Sequence, residues 1–255
     1  MDPFIHISGL TIGYNKSTVV KEISASFNSG ELICLIGRNG EGKSTLIKTL
    51  CKLLPPISGS ILINDNNLFK LNDKEFANLI SVVLTSKISI TNISVKEFIA
   101  FGRYPYTNWL GKLNKDDEEQ INAAIEMCGI SHLIDRDFSS LSDGEKQKVN
   151  ISRAIAQHTP IIILDEPTAH LDLVNNVEIF KLLKELTHKY GKTIIFSTHY
   201  IEFALQLADK IGLIDDGSFF CNTPKNIIES KKIDQLFDKK SVKFNATTNS
   251  FEFVF

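Results

Sequence analysis

Residues 37–45 read Gly-Arg-Asn-Gly-Glu-Gly-Lys-Ser-Thr, and no other stretch of the chain constrains the fold as strongly. They fit the pattern GxxxxGK[ST]. The run before them, Glu31-Leu-Ile-Cys-Leu-Ile36, has the near-continuous apolar character of a strand buried on both faces. After them a helix is predicted from Lys43 to about Leu53, stopped by Pro55-Pro56. Strand, glycine-rich turn and helix in that order have one well-understood use. The glycines let the backbone curl so that several N–H groups converge on phosphate oxygens. The helix N-terminus adds about half a positive charge. Lys43 is then placed to reach the β- and γ-phosphates of a nucleotide, and the Ser44 hydroxyl to ligate Mg²⁺.

Three further stretches carry chemistry. Ile161–Leu164 is an apolar strand that ends in Asp165-Glu166. Open α/β sheets bind ligands at the carboxyl ends of their strands. Asp165 is thus placed to hold Mg²⁺, directly or through water, and Glu166 to orient or deprotonate an attacking water. Ser142-Asp-Gly-Glu145 opens a predicted helix over Ser142–Gln157. Ser142 with Glu145 is a capping box, yet a capped helix start bearing Ser and Gly is also an anion site, and the residues alone allow both. His199 follows the predicted strand Thr193–Ser197, where a contact to a γ-phosphate and a purely structural role are both open.

The remaining pattern sets the architecture. Phe4–Ile12 and Val19–Phe27 read as strands. Strands then alternate with helices: Ile61–Ile63, a helix Asn72–Ile80, Ser81–Leu84, and later helix Val174–Tyr190, helix Ile201–Ala208 and strand Ile211–Ile214. Such alternation predicts a mostly parallel, helix-covered sheet, preceded here by an antiparallel β region. From about residue 86 to 140 the chain turns helical and charged, with a helix Asp116–Cys128 and an aromatic loop, Arg103-Tyr-Pro-Tyr-Thr-Asn-Trp109. The tail predicts one short helix, Lys225–Leu236, and a hairpin in which Val242/Phe244 and Phe251/Phe253/Phe255 alternate. The expected organisation is a core of residues 1–85 and 141–222, a helical insertion at 86–140 and a tail at 223–255.

Composition narrows the function. Lys and Arg number 28 against 30 Asp and Glu, a net charge of −2, which argues against nucleic-acid binding. No apolar run approaches the roughly 18–20 residues that cross a bilayer, and the first residues lack the pattern of a signal peptide, so a cytoplasmic protein is expected. Cys34, Cys51, Cys128 and Cys221 stand apart with no metal-ligand spacing and are read as small buried hydrophobes.

The glycine-rich loop, the Leu141-Ser-Asp-Gly-Glu145 stretch, Asp165-Glu166 and His199, in this order, resemble the nucleotide-binding subunit of an ABC transporter over nearly the whole chain. The resemblance implies a RecA-like P-loop NTPase core with an inserted helical subdomain, and an ABC domain over residues 4–240. It implies that Gly37, Arg38, Asn39, Gly40, Gly42, Lys43, Ser44 and Thr45 cradle ATP with Mg²⁺, and that Tyr14 stacks on adenine. Ser142, Gly144 and Glu145 match the signature that contacts the γ-phosphate of ATP held by a second copy. Ala169-His-Leu-Asp172 matches the loop that couples the two sites, and His199 the switch histidine. The family closes as a head-to-tail dimer around two ATPs, and with no membrane span here it implies separate permease subunits, placing the chain at the cytoplasmic face of the inner membrane. Gly102-Arg-Tyr-Pro105 and the LSDGE form of the signature look like ATPases serving importers of iron–siderophore, haem and cobalamin. Such importers receive cargo from a binding protein, and Phe98–Trp109 would lie in the helical subdomain that docks the permease, where Tyr104, Tyr106 and Trp109 either form an exposed contact patch or pack the subdomain.

Two positions depart from the family. Thr85 stands where it places a Gln that contacts Mg²⁺ and water; a Thr hydroxyl ligates metal too, but over a shorter reach. Asp143 replaces the commoner Gly, and its carboxylate is expected to point away from phosphate, toward the helix N-terminus. A soluble ABC ATPase of DNA repair, translation or iron–sulfur assembly is the alternative reading. A repair protein would need a long coiled coil and a translation factor usually two cassettes, and neither is present. A nucleotide-binding regulator that does not hydrolyse is disfavoured by Glu166 and His199 together.

Overall fold

The structure, a computed structural model, describes residues 4–15, 17–85, 90–236, 242–245, 248 and 250–253. Phe255 of the expected tail hairpin and Ser86 at the start of the expected insertion lie outside the described residues. In chain order the elements are β1 (Ile5–Tyr14), β2 (Ser17–Phe27), β3 (Leu32–Gly37), α1 (Lys43–Leu50), β4 (Ser58–Ile63), β5 (Asn66–Asn67), α2 (Asp73–Leu79), β6 (Ile80–Val83), α3 (Val95–Ala100) and α4 (Lys115–Met127). They continue with α5 (Asp143–Ala156), β7 (Ile161–Leu164), α6 (Leu173–His188), β8 (Thr193–Ser197), α7 (Ile201–Leu207), β9 (Lys210–Asp215), β10 (Ser218–Asn222), α8 (Pro224–Glu229), α9 (Lys232–Leu236), β11 (Val242–Asn245) and β12 (Ser250–Phe253). The chain forms two compact units, residues 1–70 with 193–255, and residues 71–192.

In the first unit β1 lies between β2 and β4 in an antiparallel sheet whose order is β2-β1-β4-β5. Ile5, Ile7, Leu10 and Ile12 of β1 are buried, and a register shift between Ile7 and Leu10 keeps the apolar face inward past Gly9. Strand β3 is buried along all six residues and pairs in parallel with β8 on one side and β9 on the other. That two-sided pairing is why its sequence does not alternate. β10 adds antiparallel to β9 through the turn Asp216-Gly217, whose φ values of 45° and 71° match a type I′ hairpin.

In the second unit β6 and β7 pair in parallel, Ile80 with Ile161 through Val83 with Leu164. Helices α3, α4 and α5 pack on one another around Phe98, Phe138, Ile121 and Val149, with Phe98 and Phe138 stacked at 4.2 Å. Capping boxes start four successive helices, at Asn72–Glu75, Ser94–Glu97, Asn114–Asp117 and Ser142–Glu145.

Several boundaries differ from the sequence reading. The helix expected to reach Leu53 ends at Leu50, where Cys51 caps it and Lys52 turns to φ 57°, before the prolines are reached. The single tail helix is two, broken at Lys231 with φ 55°. Strand β10 went unread although its Asp-Gly dipeptide is a strong hairpin signal. No helix among the described residues is long and apolar enough to cross a membrane. Burial pushes the Cys34 thiol well up, Cys128 to about 12 and Cys221 to about 11, so these three stay protonated at neutral pH.

Candidate nucleotide site

In the first unit the glycine-rich loop leaves β3 at Gly37 and enters α1 at Lys43. Gly42, at φ 113°, is the N-cap of α1 and supplies no side-chain acceptor. A Cβ there would stand 2.8 Å from the Val19 and Val20 side chains, so β2 closes on the loop only because residue 42 has none. The four boxed helices have side-chain acceptors on their first amides, while α1 has no side-chain cap at Gly42, the kind of helix start that can accept an anion. Lys43 is 4% exposed, and its Nζ donates to the carbonyls of Gly37 at 2.8 Å and Arg38 at 2.9 Å. The ammonium is thereby folded under the loop, against the carbonyls at its start. Ser44 is half-buried and Thr45 buried on the same first turn, while Asn39 and Gly40 form the exposed apex.

Two other residues of interest belong to this unit. Tyr14 closes the β1–β2 hairpin opposite Ser17 and is 43% exposed, a free ring face suited to stacking. His199 follows β8 and is exposed in the turn into α7. That turn is fixed by Thr198 N–H on the Leu35 carbonyl at 3.2 Å and Tyr200 N–H on Thr198 Oγ1 at 3.1 Å.

In the second unit Asp165 ends β7, 7% exposed, with its N–H on the Val83 carbonyl of β6 at 2.9 Å. Glu166 follows with φ 48° and His170 with φ 65°, left-handed values that cost roughly 1–3 kcal/mol each and concentrate at functional sites. Thr85 Oγ1 donates to the Asp165 carbonyl at 3.0 Å, so its hydroxyl fastens the end of β6 to the end of β7 while its lone pairs remain acceptors.

Ser142 opens α5 with the expected box: its Oγ accepts from Glu145 N–H at 3.3 Å and its own N–H donates to Glu145 Oε2 at 2.8 Å. The Ser142 N–H, with the hydroxyl and Arg136 adding to it, holds the Glu145 carboxyl below the usual range. In the box the Ser142 oxygen is an acceptor, so its proton stays available to an anion. Asp143 is exposed at the first helical position. Asn175, unremarked in the sequence, lies over Gly144, where a Cβ would stand 2.6 Å from its Oδ1. Asp172 grips that Asn175 twice, accepting from its N–H at 2.8 Å and its Nδ2 at 2.9 Å.

The aromatic loop divides. Tyr104 and Trp109 are 75% and 90% exposed, whereas Tyr106 is half-buried under the Arg103 guanidinium, 4.1 Å from its ring centre.

Strand, uncapped helix and buried lysine define a phosphate-loop nucleotide-binding protein of the α/β class. The chain belongs to the ABC transporter family, whose profile matches residues 20–169. It is 35% identical over 95% of its length to the uncharacterized ABC transporter ATP-binding protein MJ0873 of Methanocaldococcus jannaschii, covering 84% of that protein. It is 33% identical over 90% of its length to the achromobactin transport ATP-binding protein CbrD of Dickeya dadantii, covering 86% of it. With the ferric enterobactin transport ATP-binding protein FepC of Escherichia coli it shares 32% over 89%, covering 84% of it. Among solved structures, cbiO1 of Clostridium perfringens, part of the ABC transporter complex cbiONQ, superposes with TM-score 0.78 at 29% identity over 92% of this chain and 94% of that one. An inward-facing transporter described as of metal-chelate type gives 0.82 at 27%, over 98% and 96%. The fold is that of an ABC ATPase cassette, and an α/β P-loop NTPase was the expected class.

Proposed function

We propose that this chain is the ATP-hydrolysing subunit of an ABC importer whose cargo is an iron–siderophore or a related metal chelate. The carrying observation is the α1 end: a helix start with no side-chain cap at Gly42, beside a buried Lys43 whose Nζ gathers the Gly37 and Arg38 carbonyls. Names such as achromobactin transport and ferric enterobactin transport among the relatives support the cargo class.

In this reading ATP lies on the amides of residues 37–45 with its base on Tyr14. Ser44 and Asp165 suit Mg²⁺, since both are hard oxygen donors, and Thr85 adds a third through a lone pair. The metal supplies charge neutralisation on the phosphates when bound. Glu166 takes the proton of the attacking water, His199 donates to the γ-phosphoryl oxygens and Lys43 offsets their growing charge. Ser142, Gly144 and Glu145 meet the γ-phosphate held by a second copy, so the working form is a homodimer on permease subunits at the cytoplasmic face of the membrane, indirectly linked to a binding protein. The soluble, transport-free alternative has no observation in its favour.

The test is co-purification with membrane partners followed by uptake of ferric siderophore, haem and cobalamin by cells carrying or lacking the chain. Loss of chelate uptake on deletion is expected; ATPase activity with no membrane partner and no uptake defect would sink the importer reading. The stretch Phe98–Trp109 is the proposed permease contact, with Tyr104 and Trp109 exposed on it. Changing both to Ser is expected to leave ATP hydrolysis by the isolated subunit within about twofold, because surface changes rarely exceed about 0.5 kcal/mol. Co-purified permease and uptake should fall together; unaltered uptake rejects this contact.

A further inference from the structure

Glu41 is the one acidic residue between Gly37 and Thr45. A carboxylate in a loop built for polyphosphate is a liability unless it is aimed elsewhere. It is. Its Oε2 accepts the N–H of Asp216 at 2.9 Å, in the β9–β10 turn 175 residues away. The other long side chain of the loop goes to the same turn, Arg38 Nη2 meeting Asp215 Oδ1 at 3.2 Å. That turn is itself fixed to β2, Lys21 N–H donating to the Gly217 carbonyl at 3.0 Å.

From this geometry we infer that Glu41 is a positioning residue for nucleotide: with Arg38 and Asp215 it ties the apex of the phosphate loop to the β9–β10 turn. The inference deepens the ATP-binding reading and rests on it. Arg38 and Glu41 flank the exposed Asn39-Gly40 apex, which is spanned by a turn bond from Glu41 N–H to the Arg38 carbonyl at 3.4 Å, and nothing beyond its chain neighbours comes within 4 Å of where a Cβ on Gly40 would stand. Below, Lys43 gathers the Gly37 and Arg38 carbonyls; at the side, the two tethers fix the plane of the loop. A loop ordered before binding spares the nucleotide that entropic cost. The tether also settles two side chains. Arg38 serves phosphate through its backbone, its guanidinium being spent on Asp215. Glu41 faces away from phosphate.

Two neutral variants separate the tether from the charge. Glu41→Gln keeps an acceptor for the Asp216 N–H, and Glu41→Ala does not. Both remove the carboxylate, so electrostatics cancels between them. Binding of ATP to the full-length variants is measured by titration with a fluorescent ATP analogue, and hydrolysis by a KM-against-kcat split. The Ala form should bind about threefold to tenfold more weakly than the Gln form, the factor one hydrogen bond allows, with kcat unchanged. Asp215→Ala in the Ala background should weaken binding further. Equal affinities of the Ala and Gln forms overturn the inference, as does a kcat effect without a KM effect. Failure of the unaltered protein to bind the analogue counts against the ATP-binding reading itself, a separate outcome.

Discussion

Glu166→Gln is expected to lower ATP hydrolysis by about 10²- to 10⁴-fold, the usual worth of a positioned general base, while leaving nucleotide binding nearly intact. The reasoning is local. Glu166 sits one residue past buried Asp165, in a left-handed conformation fixed by Ala169 N–H on its carbonyl at 3.0 Å. Gln has the same length and meets the same backbone demand, so the loop need not move. Only the ability to take a proton is lost. The phosphate loop, residues 37–45, is unchanged, and so are its amides and Lys43. In the proposed cycle binding closes the homodimer and hydrolysis reopens it, so the variant should accumulate closed. Gel filtration with and without ATP reads this directly: monomer without nucleotide, dimer with it, and no return to monomer over time. Single-turnover hydrolysis gives the rate. Activity within tenfold of the unaltered protein would remove Glu166 from the chemistry, and a monomer under both conditions would contradict the closing step.

The sequence exposed those features that depend on neighbours along the chain. The phosphate loop is contiguous, so its strand, glycines, Lys43 and Ser44 could be read in order, and β3 announces its two-sided burial by not alternating. Capping boxes are just as local, and the Ser142–Glu145 box forms as expected, although those at Ser94 and Asn114 were not anticipated. What escaped depends on distance. Nothing near Glu41 points to an amide 175 positions later. Asn175 gains its place over Gly144 only because α5 and α6 begin side by side. Exposure within the aromatic loop was also hidden, because Tyr104 and Tyr106 differ only in which one Arg103 covers. Helix ends were misjudged for a further reason. Lys52 and Lys231 take left-handed φ, a conformation that a lysine's residue type does not announce.

Arg103→Ala should cost about 3–5 kcal/mol of stability, the penalty for stripping the partner from a buried charge. Arg103 was read from the sequence as part of a branch-marking Gly-Arg-Tyr-Pro stretch; in the structure it is a clamp. It is 3% exposed and Asp117 is fully buried, with Arg103 Nε donating to Asp117 Oδ1 at 2.8 Å. Its Nη1 donates to the Ala156 carbonyl at the end of α5 at 3.0 Å, and Nη2 reaches Asp116 at 3.3 Å. One guanidinium therefore joins the start of α4 to the end of α5. Lys cannot replace it, since a single ammonium cannot span the fork. Asp117 has a second duty, accepting the Asn114 N–H at 2.9 Å in the capping box of α4. Burial pushes its carboxyl up, but the Asn114 amide and Arg103 outweigh this and hold it below the usual range. A depressed folded pKa contributes stability above the unfolded value of about 3.9 and loses it as pH falls through the folded one. Chemical denaturation at pH 7 should show the full loss for Arg103→Ala. Adding Asp117→Asn should recover part of it, because Asn keeps the capping acceptor and carries no charge to strand. The gap between Arg103→Ala and the unaltered protein should narrow once pH falls below the folded pKa of Asp117, where protonation dissolves the ion pair. A gap that is small at pH 7, or independent of pH down to that range, would mean the clamp is held by packing against Tyr106 and not by charge.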